Sequence, residues 1–383
     1  MPEAASPPRD LPPKALPKIL CVAGARPNFM KIAPVMDALR RTGALAVGLV
    51  HTGQHYDVAM NQRFFEQLGI PLPDVDLEVG SASHAVQTAE IMRRFEPVLD
   101  EEDPAAVLVV GDVNSTIACA LVAAKKDIPV AHVEAGLRSY DRSMPEEINR
   151  VLTDQLATWH FITERGARDN LLREGIDGRG IHFVGNVMID TLLRHRAQAV
   201  PPERTLAGWA APWRERGYGV VTLHRPANVD DPEVLGGLVE ALRRIHARLP
   251  LVFPVHPRTR ARLEETGLGA LLAEAGLLLQ EPLGYLEMLG LMDGARLVLT
   301  DSGGMQEETT ALGVPCLTLR EHTERPITVE QGTNTVVGTE PARVVEAAAE
   351  ALDGGAKAGR IPELWDGRAA ERIAAVLAAE LAA

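Results

Sequence analysis

Two doubly wound α/β domains facing a cleft are the architecture this sequence predicts. Three observations lead there. Apolar, strand-like runs alternate with helix-length stretches from residue 18 onward. The alternation breaks once, in an Arg-, Pro-, Ala- and Gly-rich stretch at 195–218 that reads as a linker and entry segment. The polar, glycine-containing motifs fall just after the strand runs, where ligands of open α/β sheets bind. A chain of 383 residues is also too long for one typical core. The expected divisions are a disordered tail at 1–17, a first domain at 18–187, a second at 188–366, and a closing helix at 367–383 that returns to the first domain.

In the first half the strand runs are Lys18–Ala23, Ala46–His51, Ala106–Val110, Pro129–Val133, Trp159–Thr163 and Ile181–Val184. Each is a short, nearly continuous apolar segment, as strands buried on both faces require. Helices are expected between them, at Asn28–Arg41, Ala85–Leu99, Asn114–Lys126 and Glu146–Ala157. The second series is Gly219–Leu223, Leu251–Val255, Leu277–Gln280, Leu297–Thr300, Pro315–Leu319 and Thr335–Val337, before an alanine-rich amphipathic helix at Arg368–Ala382.

Composition narrows the function. The net charge of −13, from 39 basic and 52 acidic residues, argues against non-specific nucleic-acid binding, which needs a basic footprint. Cys21, Cys119 and Cys316 have no paired spacing and sit in apolar patterns, so a reducing compartment and no metal knuckle are expected. No apolar run reaches a membrane-spanning length, and the proline-rich start carries no signal-like core. There is no Gly-x-Gly-x-x-Gly after a strand, no Walker A lysine loop and no His-Glu-x-x-His helix, so neither a nicotinamide cofactor nor a metal is expected. Asp74-Val75-Asp76 is spaced like a metal pair but lies in a Pro-rich loop.

The most telling stretch is Leu299-Thr-Asp-Ser-Gly-Gly-Met-Gln-Glu-Glu308. A strand ends at Asp301, and a helix opens at Ser302, Gly303 and Gly304, giving unpaired N–H groups and a positive dipole end for a phosphate. Glu307 and Glu308, one turn in, could accept from ribose hydroxyls. After the first strand comes Gly24-Ala25-Arg26-Pro27-Asn28, in which Arg26 can fork onto a diphosphate, with Lys31 one turn on. Asp112 in Gly111-Asp112-Val113-Asn114 and Glu134 after Val133 are carboxylates at neighbouring strand ends, although Asp112 could merely cap the next helix. Ser143 and Glu146 fit a capping box, and Glu146 and Arg150 an i, i+4 pair, so Glu146 has a plain structural reading beside the functional one. In the second half His224-Arg225, His256 and Arg325 likewise follow strands and suit phosphate or sugar.

Taken in order, Gly-Ala-Arg-Pro-Asn-Phe-Met-Lys-Ile-Ala-Pro (24–34), Gly-Asp-Val-Asn-Ser-Thr (111–116), His-Val-Glu-Ala-Gly-Leu-Arg (132–138), Met-Pro-Glu-Glu-Ile-Asn-Arg (144–150), Thr-Leu-His-Arg-Pro-x-Asn-Val-Asp (222–230), Thr-Asp-Ser-Gly-Gly-Met-Gln-Glu-Glu (300–308) and Glu-Arg-Pro (324–326) resemble the non-hydrolysing UDP-N-acetylglucosamine 2-epimerases. The resemblance covers nearly all the chain after residue 17. It implies a glycosyltransferase-B-like fold of two Rossmann-like domains, the second binding UDP, and a cytoplasmic homodimer making ManNAc precursors for polysaccharide without a cofactor. It matches Arg26 and Lys31 to nucleotide and diphosphate contacts, and Asp112, Glu134 and Glu146 to proton transfer at the sugar. Arg150 accompanies those carboxylates, and His224 is the second-domain histidine. Ser302, Gly303 and Gly304 form the phosphate seat, Glu308 the ribose contact, and Arg325 the arginine near diphosphate and sugar; Arg225 and His256 join the substrate side. Some relatives have Glu where Asn28 stands and Gln-Glu-Tyr in place of Leu283-Gly284-Tyr285. Gln54-His55 is followed by Tyr56-Asp57 rather than an arginine, which speaks against activation by a second substrate molecule.

The chemistry so implied is elimination. C2 of the sugar has no adjacent carbonyl, so UDP leaves C1 as a base removes the C2 proton, and re-addition follows reprotonation from the other face. Which carboxylate acts first stays open. A related UDP-2,3-diacetamido uronic acid, a glycosyltransferase of the same fold and a non-catalytic nucleotide-sugar sensor are the competing readings.

Overall fold

The computed structural model describes residues 16–53 and 69–382, apart from the Arg26 side chain. The tail at 1–15 and the Gln54–Asp57 turn therefore lie outside the described residues. Two parallel sheets organise the chain. The first contains β1 (Lys18–Ala23), β2 (Ala46–His51), β3 (Val75–Asp76), β4 (Ala106–Val110), β5 (Val130–Val133), β6 (Trp159–Ile162) and β7 (Ile181–Phe183), in the order β3-β2-β1-β4-β5-β6-β7. The second contains β8 (Gly219–Thr222), β9 (Leu251–Pro254), β10 (Leu278–Gln280), β11 (Leu297–Thr300), β12 (Cys316–Thr318) and β13 (Asn334–Val336), in the order β10-β9-β8-β11-β12-β13.

The strand sequences explain this. Val107, Leu108, Val109 and Val130 are fully shielded, as are Leu297, Val298 and Leu299, because helices cover both faces. In each sheet the order reverses beside the first strand, between β1 and β4 and between β8 and β11. The turns after those four strands carry Gly24–Arg26, Gly111-Asp112, His224-Arg225 and Asp301–Gly304, so both switch points present the polar motifs.

The Val187–His195 helix touches both the Arg26–Arg41 helix and the Gly303–Leu312 helix. A division at residue 187 thus falls at the first residue of an element shared by both halves. The Ala369–Leu381 helix packs on Arg26–Arg41. Asp190 fixes its start, accepting from Ala369 N (3.1 Å) and Ala370 N (2.7 Å). Trp365 Nε1 donates to Thr163 O at 3.2 Å where the chain crosses back.

Asp74-Val75-Asp76 is not a loop. Val75 and Asp76 pair with β2 as a short edge strand. Asp74 accepts from Leu49 N (2.7 Å), and Asp76 pairs with His51 (3.1 Å). Neither carboxylate is set aside for a metal, and no cluster of metal-ligand type occurs among the described residues. No helix among them is long and apolar enough to cross a membrane. The three cysteines are buried and free.

Candidate active site

The first half contributes two strand-end turns drawn together by buried charge. Asn28 ties the ends of β1 and β4: its Oδ1 accepts from Ala25 N (2.9 Å), and its Nδ2 donates to Val110 O (3.2 Å). Gly111 has φ +66°, and a Cβ there would stand 3.4 Å from Glu134 Oε2 and 3.5 Å from Lys31 Nζ. The positive φ is what favours glycine here; a Cβ would only come into ordinary contact with that pair. Glu134 itself has φ +69°, a costly conformation for a side chain and one that clusters at functional sites. Its carboxylate is bound by Lys31, and Oε1 is buried without a hydrogen-bond partner.

Asp112 does not cap the following helix; Val113 is the cap residue there. Its Oδ2 instead accepts from Arg150 Nε (3.1 Å) and Nη2 (2.6 Å). Burial alone would raise the Asp112 carboxyl, but Arg150, Lys31 and Arg325 outweigh it and hold it below its ordinary range. Arg150 Nη1 donates to Glu147 Oε2 at 2.6 Å.

Two expectations about this helix are corrected. The Ser143–Glu146 capping box does not form: Pro145 takes the first helical position, Met144 precedes it, and the Ser143 hydroxyl donates to Asp141 at 2.6 Å. The Glu146–Arg150 pair does not form either, because Arg150 is committed to Asp112 and Glu147. Glu146 stands instead 4.0 Å from Arg225 of the second half.

The second half supplies the cationic side. Arg325 is buried and joins both halves, with Nε 2.8 Å from Glu307 Oε1 and Nη2 3.8 Å from Glu134 Oε1. Asn186 Nδ2 donates to the same Glu307 oxygen at 2.9 Å. Burial pushes the Glu307 carboxyl up to about 7, with Glu134 adding to the push against Arg325. Glu307 therefore belongs to this inter-half cluster and not to a ribose site. Glu308, next along, faces another neighbour; its Oε1 accepts from Tyr285 OH at 3.1 Å, and burial raises it to about 7.

Asp301 is buried beneath the β8 turn. It accepts from His224 N (2.9 Å) and Arg225 N (2.9 Å), and faces His224 Nδ1 at 2.9 Å. It therefore sets the ring of His224, which stays partly exposed. His256 lies 5.7 Å from that ring, ring centre to ring centre, and its Nδ1 caps the Pro257–Glu265 helix, accepting from Arg258 N at 3.3 Å. Ser302 precedes Gly303 and Gly304, the first two residues of the Gly303–Leu312 helix. Arg325 Nη1, Arg225 Nε, Arg320 Nη1 and Glu307 Oε2 are buried with no hydrogen-bond partner. Such unspent capacity is what an anionic, hydroxyl-rich ligand would satisfy.

A family profile described as UDP-N-acetylglucosamine 2-epimerase matches residues 37–378. The chain belongs to that family. A UDP-N-acetylglucosamine 2-epimerase from Methanocaldococcus jannaschii is 42% identical over 363 residues, covering 94% of this chain and 98% of that one. A UDP-2,3-diacetamido-2,3-dideoxy-D-glucuronate 2-epimerase from Pseudomonas aeruginosa is 44% identical over 338 residues, covering 88% and 92%. The crystal structure of the M. jannaschii enzyme in complex with UDP-GlcNAc and UDP has a TM-score of 0.86 at 41% identity, covering 94% and 99%. The two-domain glycosyltransferase-B-like fold is thereby confirmed.

In this epimerase Asp112, Glu134, Arg150 and Lys31 form one cluster with Arg325, and Glu146 approaches Arg225 of the second half to 4.0 Å. Lys31 pairs with Glu134, and Arg150 pairs with Asp112. The Arg26 side chain lies outside the described residues. Sequence reading missed Asn186, Glu147 and the buried role of Glu324, which pairs with Arg320 at 2.8 Å. Only Glu324 left a signal, in the balanced charges of 320–325.

Proposed function

We propose that this epimerase interconverts UDP-N-acetylglucosamine and UDP-N-acetylmannosamine by elimination of UDP and re-addition. One observation carries the reading: Arg325 spans from Glu307 to Glu134, which brings the carboxylate turns of the first half up against the Gly303–Leu312 helix of the second. The relatives' named substrates support the sugar.

The residues suit the chemistry. As the C1–O bond breaks, its electrons go to the diphosphate, whose charge falls on Arg225, Arg320, Arg325 and the Gly303 helix start, the preorganised electrostatics such a step needs. The C2–H electrons become the C1–C2 double bond, and the proton goes to a carboxylate. Inversion needs acid–base groups on two faces of the ring. Asp112 and Glu134 stand together on one side, and Glu146 reaches in beside Arg225. The uronate relative at 44% identity supports a second reading, in which the sugar is a UDP-2,3-diacetamido uronic acid.

A proton NMR time course with UDP-GlcNAc in deuterated water is expected to show UDP-ManNAc and deuterium at C2 of both epimers. No exchange with UDP-GlcNAc, but exchange with the uronate, would establish the second reading. Release of free ManNAc with UDP would make the enzyme a hydrolase.

We also infer a homodimer through the Pro145–Leu156 and His84–Glu102 helices. Ile148, Leu152 and Val86 are half-exposed there beside a groove lined by Ala85, Ala89 and Met92. Light scattering of Ile148→Arg/Leu152→Arg is expected to give a monomer, and an unchanged dimer would refute that face. The three buried cysteines support a reducing, cytoplasmic setting.

A further inference from the structure

Glu324 is an anion placed where an anion should bind. It lies in the loop after β12 and is almost fully buried. Its Oε1 is 2.6 Å from where a Cβ of Gly303 would stand, so it rests against the first residue of the Gly303–Leu312 helix. A Cβ at 303 would displace that carboxylate from its place against the helix start. Three guanidiniums surround it: Arg320 at 2.8 Å, Arg225 at 3.6 Å, and its chain neighbour Arg325. Burial would raise its carboxyl, but Arg325, Arg320 and Arg225 hold it far below the ordinary range, so it is charged at neutral pH.

A carboxylate at a helix start, ringed by arginines, resembles in chemistry one bound phosphoryl group. We infer that Glu324 stands in for the diphosphate when the cleft is empty and competes with it when UDP arrives, so that it limits UDP affinity. This rests on the proposed function, since UDP is taken as the leaving group. The arginines then exchange one anion for another, and the leaving group meets a like charge beside its seat. For a reaction that must expel UDP from C1 and add it back, a seat that holds UDP too tightly would trap the intermediate state.

The test is calorimetric titration of UDP into the full-length enzyme. Wild type is expected to bind UDP. Glu324→Gln keeps the shape and removes the charge, and is expected to bind UDP about tenfold more tightly. Glu324→Asp draws the charge back by one methylene and is expected to bind about threefold more tightly. The order Gln above Asp above wild type is not what loss of a structural prop gives, since that weakens binding in both variants. Affinity unchanged or reduced in the folded variants overturns the inference, and Asp alone decides it if Gln does not fold. No UDP binding by wild type would instead sink the proposed function.

Discussion

Asp112→Asn and Glu134→Gln are expected to abolish C2 proton exchange, lowering kcat by roughly 10³-fold or more, while UDP still binds within a few-fold of wild type. Positioned acid–base groups typically contribute 10²- to 10⁴-fold. Both carboxylates stand at strand ends beside the gap, and each is held by a cation from its own half: Arg150 for Asp112 and Lys31 for Glu134. Neutral amides of the same shape leave the second-half diphosphate seat intact, so binding and chemistry should separate. Deuterium incorporation at C2, followed by NMR beside a UDP titration, checks this. Wild-type exchange in either variant would remove that residue from the proton-transfer step. Loss of both binding and exchange, with the fold retained, would make it a substrate-holding residue instead.

The fold was legible where the chain is buried on both faces. β1, β2, β4 and β11 have the expected bounds because a buried parallel strand is an uninterrupted apolar run. β3 escaped because it is two residues long, on the sheet edge, and flanked by aspartates that serve the backbone. At the site, strand-end motifs were readable because a switch point forces polar turns together. Partner choice was not. Glu307 and Glu308 are adjacent on one helix and so point about 100° apart; only the packing of the two halves decides that Glu307 meets Arg325 and Glu308 meets Tyr285. The same holds for Arg150, whose i, i+4 neighbour Glu146 lost to Asp112, distant in sequence. Local spacing foretells contacts within a helix only when no buried partner from elsewhere competes.

Arg325→Met should destabilise the enzyme by about 3–5 kcal/mol, the usual cost of removing one partner from a buried charged cluster. Arg325 is the charge that Glu307, Glu134, Glu324 and Asp112 all feel, and they in turn keep it firmly protonated against its burial. Glu134 and Asp112 keep Lys31 and Arg150 after the substitution, but Glu307 keeps only Asn186, a neutral donor. Glu307 must then stay protonated well above its already raised value or unfold the junction. Stability of Arg325→Met should accordingly fall as pH rises from 6 to 9: the folded state keeps the Glu307 proton that the unfolded chain has already released, so the unfolded state gains. Glu307→Gln in the same chain removes that proton and should flatten the pH dependence and recover much of the loss. Urea denaturation of both single variants and the double variant, at pH 6 and pH 9, gives the coupling directly. Additive losses with a parallel pH dependence would mean that Arg325 and Glu307 do not form one unit, and that the two halves are held together by something other than this pair.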